Sequence, residues 1–198
     1  MKYPPTEVLH EPGSVAVQLR CCRPYRRTCA RAAVGVPLAG ALLAAILALG
    51  LHVNLTASAP RGLYRTITGP PTRGAWVVAC VNPEAAALGR ARGYLGPGSC
   101  RGEVEPVLKL VVALAGDVVE LRPEAVMVNG RPLPGSASAV FDSLGRPLPH
   151  AVRGRHVVAP DELWLVSTRV ANSWDSRYLG PFTGSQVRAV ARPVWTVD

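Results

Sequence analysis

Residues 32–51 form a run of 20 amino acids that contains no charged side chain and a single proline, Pro37. As a helix rising about 1.5 Å per residue, this run matches the ~30 Å hydrocarbon core of a bilayer. The sequence therefore predicts a single-pass membrane anchor, which we place at residues 32–53. A basic tail, residues 1–31, precedes the anchor, and residues 54–198 are long enough to form one folded domain.

The charges that flank the run predict its orientation. Residues 1–31 hold six lysines and arginines against two glutamates, a net charge of +4. Because basic residues stay on the cytoplasmic side, we expect a cytoplasmic tail, an inner-membrane anchor and a periplasmic domain. A cleaved signal peptide is the alternative, since residues 57–59 resemble a small-residue cleavage site. The length of the run and Pro60, directly after that site, favour the uncleaved anchor.

The five cysteines divide along the same boundary. Cys21, Cys22 and Cys29 precede the anchor, where we expect reduced thiols. Cys80 and Cys100 follow it in an oxidising compartment, where we expect a disulfide. Such a bridge would stabilise the fold by about 3 kcal/mol by constraining the unfolded chain. No histidine stands near either group at zinc-ligand spacing, so we expect no metal site.

Residues 54–198 are predicted to fold mainly as β-structure with one short helix. Glycine and proline each occur 19 times in the chain, which is typical of many turns and short strands. A helix is predicted over residues 83–92, with Asn82 as its cap and Pro83 at its first position. Strands are predicted at residues 76–80, 108–114, 118–121, 126–128, 156–158, 163–166 and 187–197.

Lysine is rare in this chain, where 22 basic residues include two lysines, Lys2 and Lys109. Lys109 lies within an apolar strand-like run, residues 107–112. A desolvated lysine can lose its proton near neutral pH, whereas an arginine cannot, so Lys109 is a candidate general base. The alternative is a strand lysine whose stem covers apolar surface and whose amine reaches water.

A candidate nucleophile, Ser58, follows the apolar run by seven residues. Pro60 restricts and Gly62 frees the backbone beside it, which suits the presentation of a side chain at a fixed angle. A serine hydroxyl attacks a carbonyl only when a base takes its proton, and a neutral lysine can be that base. The alternative is an ordinary linker serine close to the membrane.

Four segments in this order resemble the conserved boxes of the type I signal peptidases, which are membrane-anchored proteases with a Ser/Lys dyad. They are residues 58–60, 108–119, 128–130 and 172–180. Residues 60–64, and the two cysteines that flank residues 92–95, are most similar to the conjugative-transfer peptidases of the TraF type. That group matures pilin precursors, and the resemblance implies a signal-peptidase-like β domain.

The resemblance also implies roles for individual residues. Ser58 is expected to be the nucleophile and Lys109 the general base. The Thr56 hydroxyl is expected to stabilise the oxyanion together with the backbone N–H of Ser58.

Further positions of the resemblance support the dyad. Ser173 matches a serine that orients the lysine amine, and Asp175 and Arg177 match a pair that braces the site. General signal peptidases carry Gly-Asp-Asn ahead of this box, whereas Ser167-Thr168-Arg169 stands here. That difference argues against a housekeeping role and leaves the dyad unaffected.

We therefore expect a serine endopeptidase that processes a conjugative pilin, or a similar precursor emerging from the membrane, without a cofactor. The expected partners are this precursor, inner-membrane lipid and other transfer components. Nucleic acid is not expected, since no basic stripe is interleaved with aromatic residues. Water would resolve the acyl-enzyme by hydrolysis, or an amine of the substrate would close a cyclic peptide. The alternatives are a general type I signal peptidase and a non-enzymatic assembly factor of the transfer apparatus.

Overall fold

β-Strands dominate the computed structural model of the protein, which describes residues 50–151 and 153–197. In this part of the chain the strands are β1 (Leu51–Asn54), β2 (Arg61–Ile67), β3 (Trp76–Ala79), β4 (Pro97–Cys100), β5 (Val107–Leu114), β6 (Val118–Leu121), β7 (Val126–Val128), β8 (Arg131–Pro132), β9 (Gly154–Val157), β10 (Glu162–Val166), β11 (Phe182–Thr183) and β12 (Val187–Val197). The helices there are α1 (Pro83–Ala91), the single-turn α2 (Ser176–Leu179) and a 3-10 turn at Gly184–Gln186. The prediction of a mainly β domain is confirmed.

The larger sheet has seven strands in the order β1-β2-β12-β3-β5-β10-β11. Its neighbouring strands pair antiparallel, and β5 lies between β3 and β10. Both faces of β5 are covered, which is why residues 107–114 read as a nearly continuous apolar run. Lys109 lies opposite Val77 of β3 and is thus held in the middle of the sheet.

A smaller sheet of four strands, in the order β8-β7-β6-β9, packs beside it. Asn129 and Gly130 connect β7 to β8, with φ values of 51° and 78°. A two-residue hairpin turn needs positive φ at both positions, and Asn-Gly is the pair that accepts it most readily. The predicted turn at these residues is confirmed.

Helix α1 begins where the sequence predicted. The Asn82 side-chain oxygen accepts a hydrogen bond from Ala85 N at 2.8 Å, and Pro83 occupies the first turn, where its missing N–H costs no hydrogen bond. The helix buries Ala85, Ala86 and Gly89 against the main hydrophobic core. A separate cluster that includes Ala59, Tyr64, Val78, Leu108 and Ala191 packs under the β1–β2 loop.

The anchor prediction needs one correction at its end. Residues 51–53, which we assigned to the anchor, belong to β1, which pairs with β2 along its whole length. Gly50 has a φ of +64°, a left-handed conformation that a right-handed helix cannot contain. The rest of the predicted anchor and the tail with Cys21, Cys22 and Cys29 lie outside the described residues. Within the described part, no helix has the length and apolarity that crossing a bilayer requires.

Candidate active site

The loop between β1 and β2 carries Ser58 and is held by one buried side chain, Asn54. The amide nitrogen of Asn54 donates to the carbonyl oxygens of Thr56, Ala59 and Pro60 at 3.0–3.1 Å. Its amide oxygen accepts from the backbone N–H and the hydroxyl of Thr56 at 3.2 and 2.8 Å. Because these bonds reach both sides of Ser58, they fix the loop in the conformation that presents the hydroxyl.

Lys109 meets this loop from β5. Its side chain points to the face of the sheet that also carries Val107 and Val111, and the residue is 4% exposed. The amine Nζ lies 2.8 Å from Ser58 Oγ, although the two residues are 51 positions apart in the sequence. This distance allows direct proton transfer between the hydroxyl and the amine.

The surroundings of Lys109 make its amine a weaker base than an ordinary lysine. Burial, the largest effect, lowers its pKa from 10.5 to about 8, because an ammonium group loses hydration inside the protein. The carboxylates of Asp175 and Glu105 raise the pKa, and the Arg177 guanidinium lowers it. A fraction of Lys109 is therefore neutral near neutral pH and can accept the Ser58 proton.

Thr56 lies next to Ser58, with its Oγ1 3.2 Å from Ser58 Oγ. Its hydroxyl donates to the side-chain oxygen of Asn54 at 2.8 Å. A hydroxyl has a single hydrogen, so Thr56 must turn it away from Asn54 before it can donate to an oxyanion.

Asp175 and Arg177 form a fully buried ion pair beside the dyad. The guanidinium donates to both carboxylate oxygens, Nε to Oδ1 at 2.9 Å and Nη2 to Oδ2 at 2.8 Å. It also donates to the carbonyl oxygens of Ala137 and Val170, at 2.5 and 2.8 Å. Such complete pairing is what allows two charges to remain in the interior.

Ser167 connects this pair to Ser58. Its backbone N–H donates to Asp175 Oδ2 at 2.9 Å, and its hydroxyl donates to the carbonyl oxygen of Ser58 at 2.7 Å. Sequence reasoning noted Ser167 as a departure from the family pattern and gave it no role. The same reasoning missed Asn54, because nothing in the local pattern distinguishes either residue from an ordinary loop residue.

The predicted contact between Ser173 and Lys109 is not formed in this structure. Ser173 is buried, yet its hydroxyl has no hydrogen-bond partner among the described residues. The structure thus brings Ser58, Lys109 and Thr56 together, and Ser167 connects Ser58 to the Asp175–Arg177 pair. The Ser173 hydroxyl makes no hydrogen bond to the amine.

A cleft of about 280 Å³ opens onto the dyad. Ser58 and Lys109 lie in its wall, and Leu95, Glu105 and Trp174 also line it. A larger cavity of about 570 Å³ lies beside Arg73 and Arg131, but neither dyad residue lines it. The smaller cleft is therefore the one in which a substrate carbonyl can reach Ser58.

A disulfide joins Cys80 and Cys100, whose Cα atoms are 5.6 Å apart. It links the end of β3 to the end of β4 and encloses helix α1 in a loop. Within the described ranges, no group of three or more His, Cys, Asp or Glu side chains could hold a metal ion.

Comparison with known proteins identifies the family of this chain. The family model described as signal peptidase, peptidase S26, matches residues 28–196. The plasmid transfer protein TraF of Escherichia coli is 41% identical over 172 residues, which are 84% of this chain and 96% of that protein. The conjugal transfer protein TraF of Agrobacterium tumefaciens (strain 15955) is 41% identical over 159 residues, 79% of this chain and 88% of that one.

Among solved structures, the chain is similar to a signal peptidase I from Enterococcus faecalis V583. The TM-score is 0.36 and the identity 18%, over 62% of this chain and 97% of that chain. From the family match and the extent of the TraF similarity, it follows that this chain belongs to the signal peptidase family, peptidase S26, as a homologue of the TraF transfer proteins.

Proposed function

We propose that this protein is a membrane-anchored serine endopeptidase with Ser58 as nucleophile and Lys109 as general base. The observation that carries the proposal is the 2.8 Å contact between Ser58 Oγ and the buried amine of Lys109. A purely structural lysine gains little from this arrangement, because its burial costs free energy and the hydrogen bond that its amine donates ends on a neutral serine hydroxyl.

The reaction follows from the positions of these groups. Ser58 Oγ attacks the carbonyl carbon of the scissile bond while neutral Lys109 takes the hydroxyl proton. The backbone N–H of Ser58 and the rotated Thr56 hydroxyl stabilise the oxyanion. The Lys109 ammonium then gives its proton to the leaving amine, and an ester remains on Ser58. Water or an amine of the substrate breaks this ester and gives a linear or a cyclic product.

The proposed substrate is a pilin, or a similar precursor that emerges from the membrane. The similarity to a plasmid transfer protein and a conjugal transfer protein supports this choice. Removal of ordinary signal peptides is the alternative activity for the same dyad. A non-enzymatic assembly factor would not need the Ser58–Lys109 contact.

The proposed location is the inner membrane, with the amino terminus in the cytoplasm and the catalytic domain in the periplasm. A row of apolar residues supports this location: Val53, Leu63 and Trp195 are register partners across β1, β2 and β12. Trp195 is 65% exposed and Leu55, next to Thr56, is 77% exposed. An exposed apolar patch beside the cleft suits a domain that rests on a bilayer, and the disulfide suits an oxidising compartment.

The test is the intact mass of the pilin-like subunit encoded nearest this protein, in cells that carry the wild type or Ser58→Ala. Loss of a terminal peptide in the wild type alone is the expected result, and loss of one further water would identify a cyclic product. Ser99→Ala is the matched control, because Ser99 is exposed and lies outside the cleft. Identical masses would reject this substrate, and accumulation of secretory precursors would instead identify a general signal peptidase.

A further inference from the structure

The carboxylates of the described residues follow a pairing rule with one exception. Every one that is buried or half-buried forms an ion pair, apart from Glu105. The pairs are Asp117–Arg73, Glu120–Arg122, Asp142–Arg146, Glu162–His156 and Asp175–Arg177. Glu105 is half-buried and lines the cleft that contains Ser58 and Lys109, yet it is in no ion pair of this part of the chain.

The carboxylate of Glu105 is held in place on one side. Its Oε1 accepts a hydrogen bond from Gly96 N at 3.0 Å, while its own backbone N–H donates to Gly96 O at 2.8 Å. The preceding residue, Val104, is fully buried and forms bridges to Pro97 and Cys100. The second oxygen, Oε2, has no hydrogen-bond partner among the described residues and is available to a ligand in the cleft.

Two basic side chains of the cleft lie within the electrostatic reach of Glu105, and neither pairs with it. Lys109 directs its amine to Ser58 Oγ instead. Burial lowers the pKa of His52, more than the Glu105 carboxylate raises it, so this imidazole is mainly neutral near pH 7. A half-buried carboxylate without a counterion is costly, and a cation that entered the cleft would relieve that cost.

We propose that Glu105 is a specificity-determining residue that binds an ammonium or guanidinium group of the substrate, next to the bond that Ser58 attacks. The apolar walls at Leu95, Val107 and Trp174 would hold the aliphatic part of a lysine or arginine side chain. A free amino terminus of the precursor presents the same chemistry. The inference rests on the proposed peptidase function, because it assigns part of the substrate to that cleft.

Binding is measured on the full chain with Ser58→Ala in detergent micelles, so that no probe is consumed. The probes are acetylated tetra-alanine amides with lysine at one of the four positions, each paired with its norleucine counterpart. A further pair of probes is tetra-alanine amide with a free amino terminus and the same peptide with an acetylated amino terminus. Isothermal titration is expected to show about tenfold tighter binding of a cationic probe than of its neutral partner, which corresponds to about 1.4 kcal/mol.

Adding Glu105→Gln should abolish this preference. Adding Glu124→Gln, which removes one exposed carboxylate outside the cleft, should leave it intact. A preference among the lysine probes identifies a side-chain subsite, and a preference for the free amino terminus identifies a terminal-amine subsite. Equal binding of charged and neutral probes, binding of neither, or a preference that survives Glu105→Gln would overturn the proposal.

A second measurement separates this inference from the proposed function. Wild-type protein is incubated with a mixed library of unstructured peptides, and new termini are read by mass spectrometry. Cleavage that Ser58→Ala abolishes, with no charge preference in binding, would refute the subsite alone. A charge preference in binding without any cleavage in the library or of the pilin subunit would refute the peptidase and leave a cation-binding cleft.

Discussion

Replacing Lys109 by methionine should make the folded protein more stable while it removes the proposed base. Methionine is unbranched and can fill the space of the lysine stem without a charge. Burial lowers the pKa of Lys109 from its ordinary 10.5 to about 8. Since one pKa unit corresponds to about 1.4 kcal/mol, the ammonium form destabilises the folded state by about 3 kcal/mol relative to the neutral amine.

The sign of this effect gives it a particular pH dependence. Well below pH 8, Lys109 is mainly protonated in both the folded and unfolded states, so the folded protein carries nearly the full burial cost. Between about pH 8 and 10.5 the unfolded state binds more protons, and the free energy of unfolding of the wild type therefore rises with pH. The stability of Lys109→Met relative to the wild type is therefore expected to fall by about 2.5 kcal/mol between pH 7 and pH 10.

Urea unfolding followed by tryptophan fluorescence measures this difference on the full chain in micelles. All four tryptophans lie in the described residues, so the signal reports on the folded domain that contains Lys109. Loss of the bond from Lys109 to Ser58 lowers stability by a similar amount at both pH values and cancels in the comparison. Lys2→Met, which removes the other lysine, is the matched control and should show no such change. An equal effect of Lys109→Met at pH 7 and pH 10 would refute a depressed pKa and with it the neutral-lysine base.

Three more outcomes are expected. The kcat/KM of peptide cleavage should rise with pH, with a midpoint near 8. Because the Glu105 carboxylate raises the pKa of Lys109, Glu105→Gln should lower this midpoint, and an unchanged midpoint would contradict that coupling. Asn54→Asp should reduce kcat about tenfold or more with little change in KM, because a carboxylate cannot donate to the loop carbonyls; parallel changes in both constants would contradict a positioning role. Replacing Cys80 and Cys100 by alanine should lower the free energy of unfolding by about 3 kcal/mol without changing kcat, and lost activity in a folded variant would show that the bridge shapes the site.

Local chemistry made much of the fold predictable from the sequence. Asn82 identified the start of α1 because its side chain can cap a free backbone N–H of the first turn. The Asn129-Gly130 pair identified a hairpin because these residues accept the positive φ that a two-residue turn requires. Strand β1 was missed for the opposite reason. Its apolar residues continue the composition of the predicted anchor, and the positive φ of Gly50, directly before β1, is not encoded in hydropathy.

The site shows a sharper division between what could and could not be predicted. Residue chemistry and family resemblance singled out Ser58 and Lys109, but no spacing rule brings together residues 51 positions apart. Asn54 and Ser167 escaped notice because their partners are backbone groups, which carry no sequence signature. The lack of an ion-pair partner for Glu105 among the described residues could not be predicted either, because ion pairs depend on the tertiary structure.

The charged groups of this domain differ in whether their charge can change near neutral pH. Three buried carboxylates, Asp117, Asp142 and Asp175, all pair with arginine. An arginine keeps its proton through the whole pH range in which Lys109 titrates, so these pairs stay intact while Lys109 gains and loses its charge. A lysine in the place of Arg177 could share that titration with Lys109, and the two protonation equilibria would become coupled. With arginine at the structural positions, Lys109 is the one lysine of the described residues, and its charge can change beside Ser58 while these ion pairs stay intact.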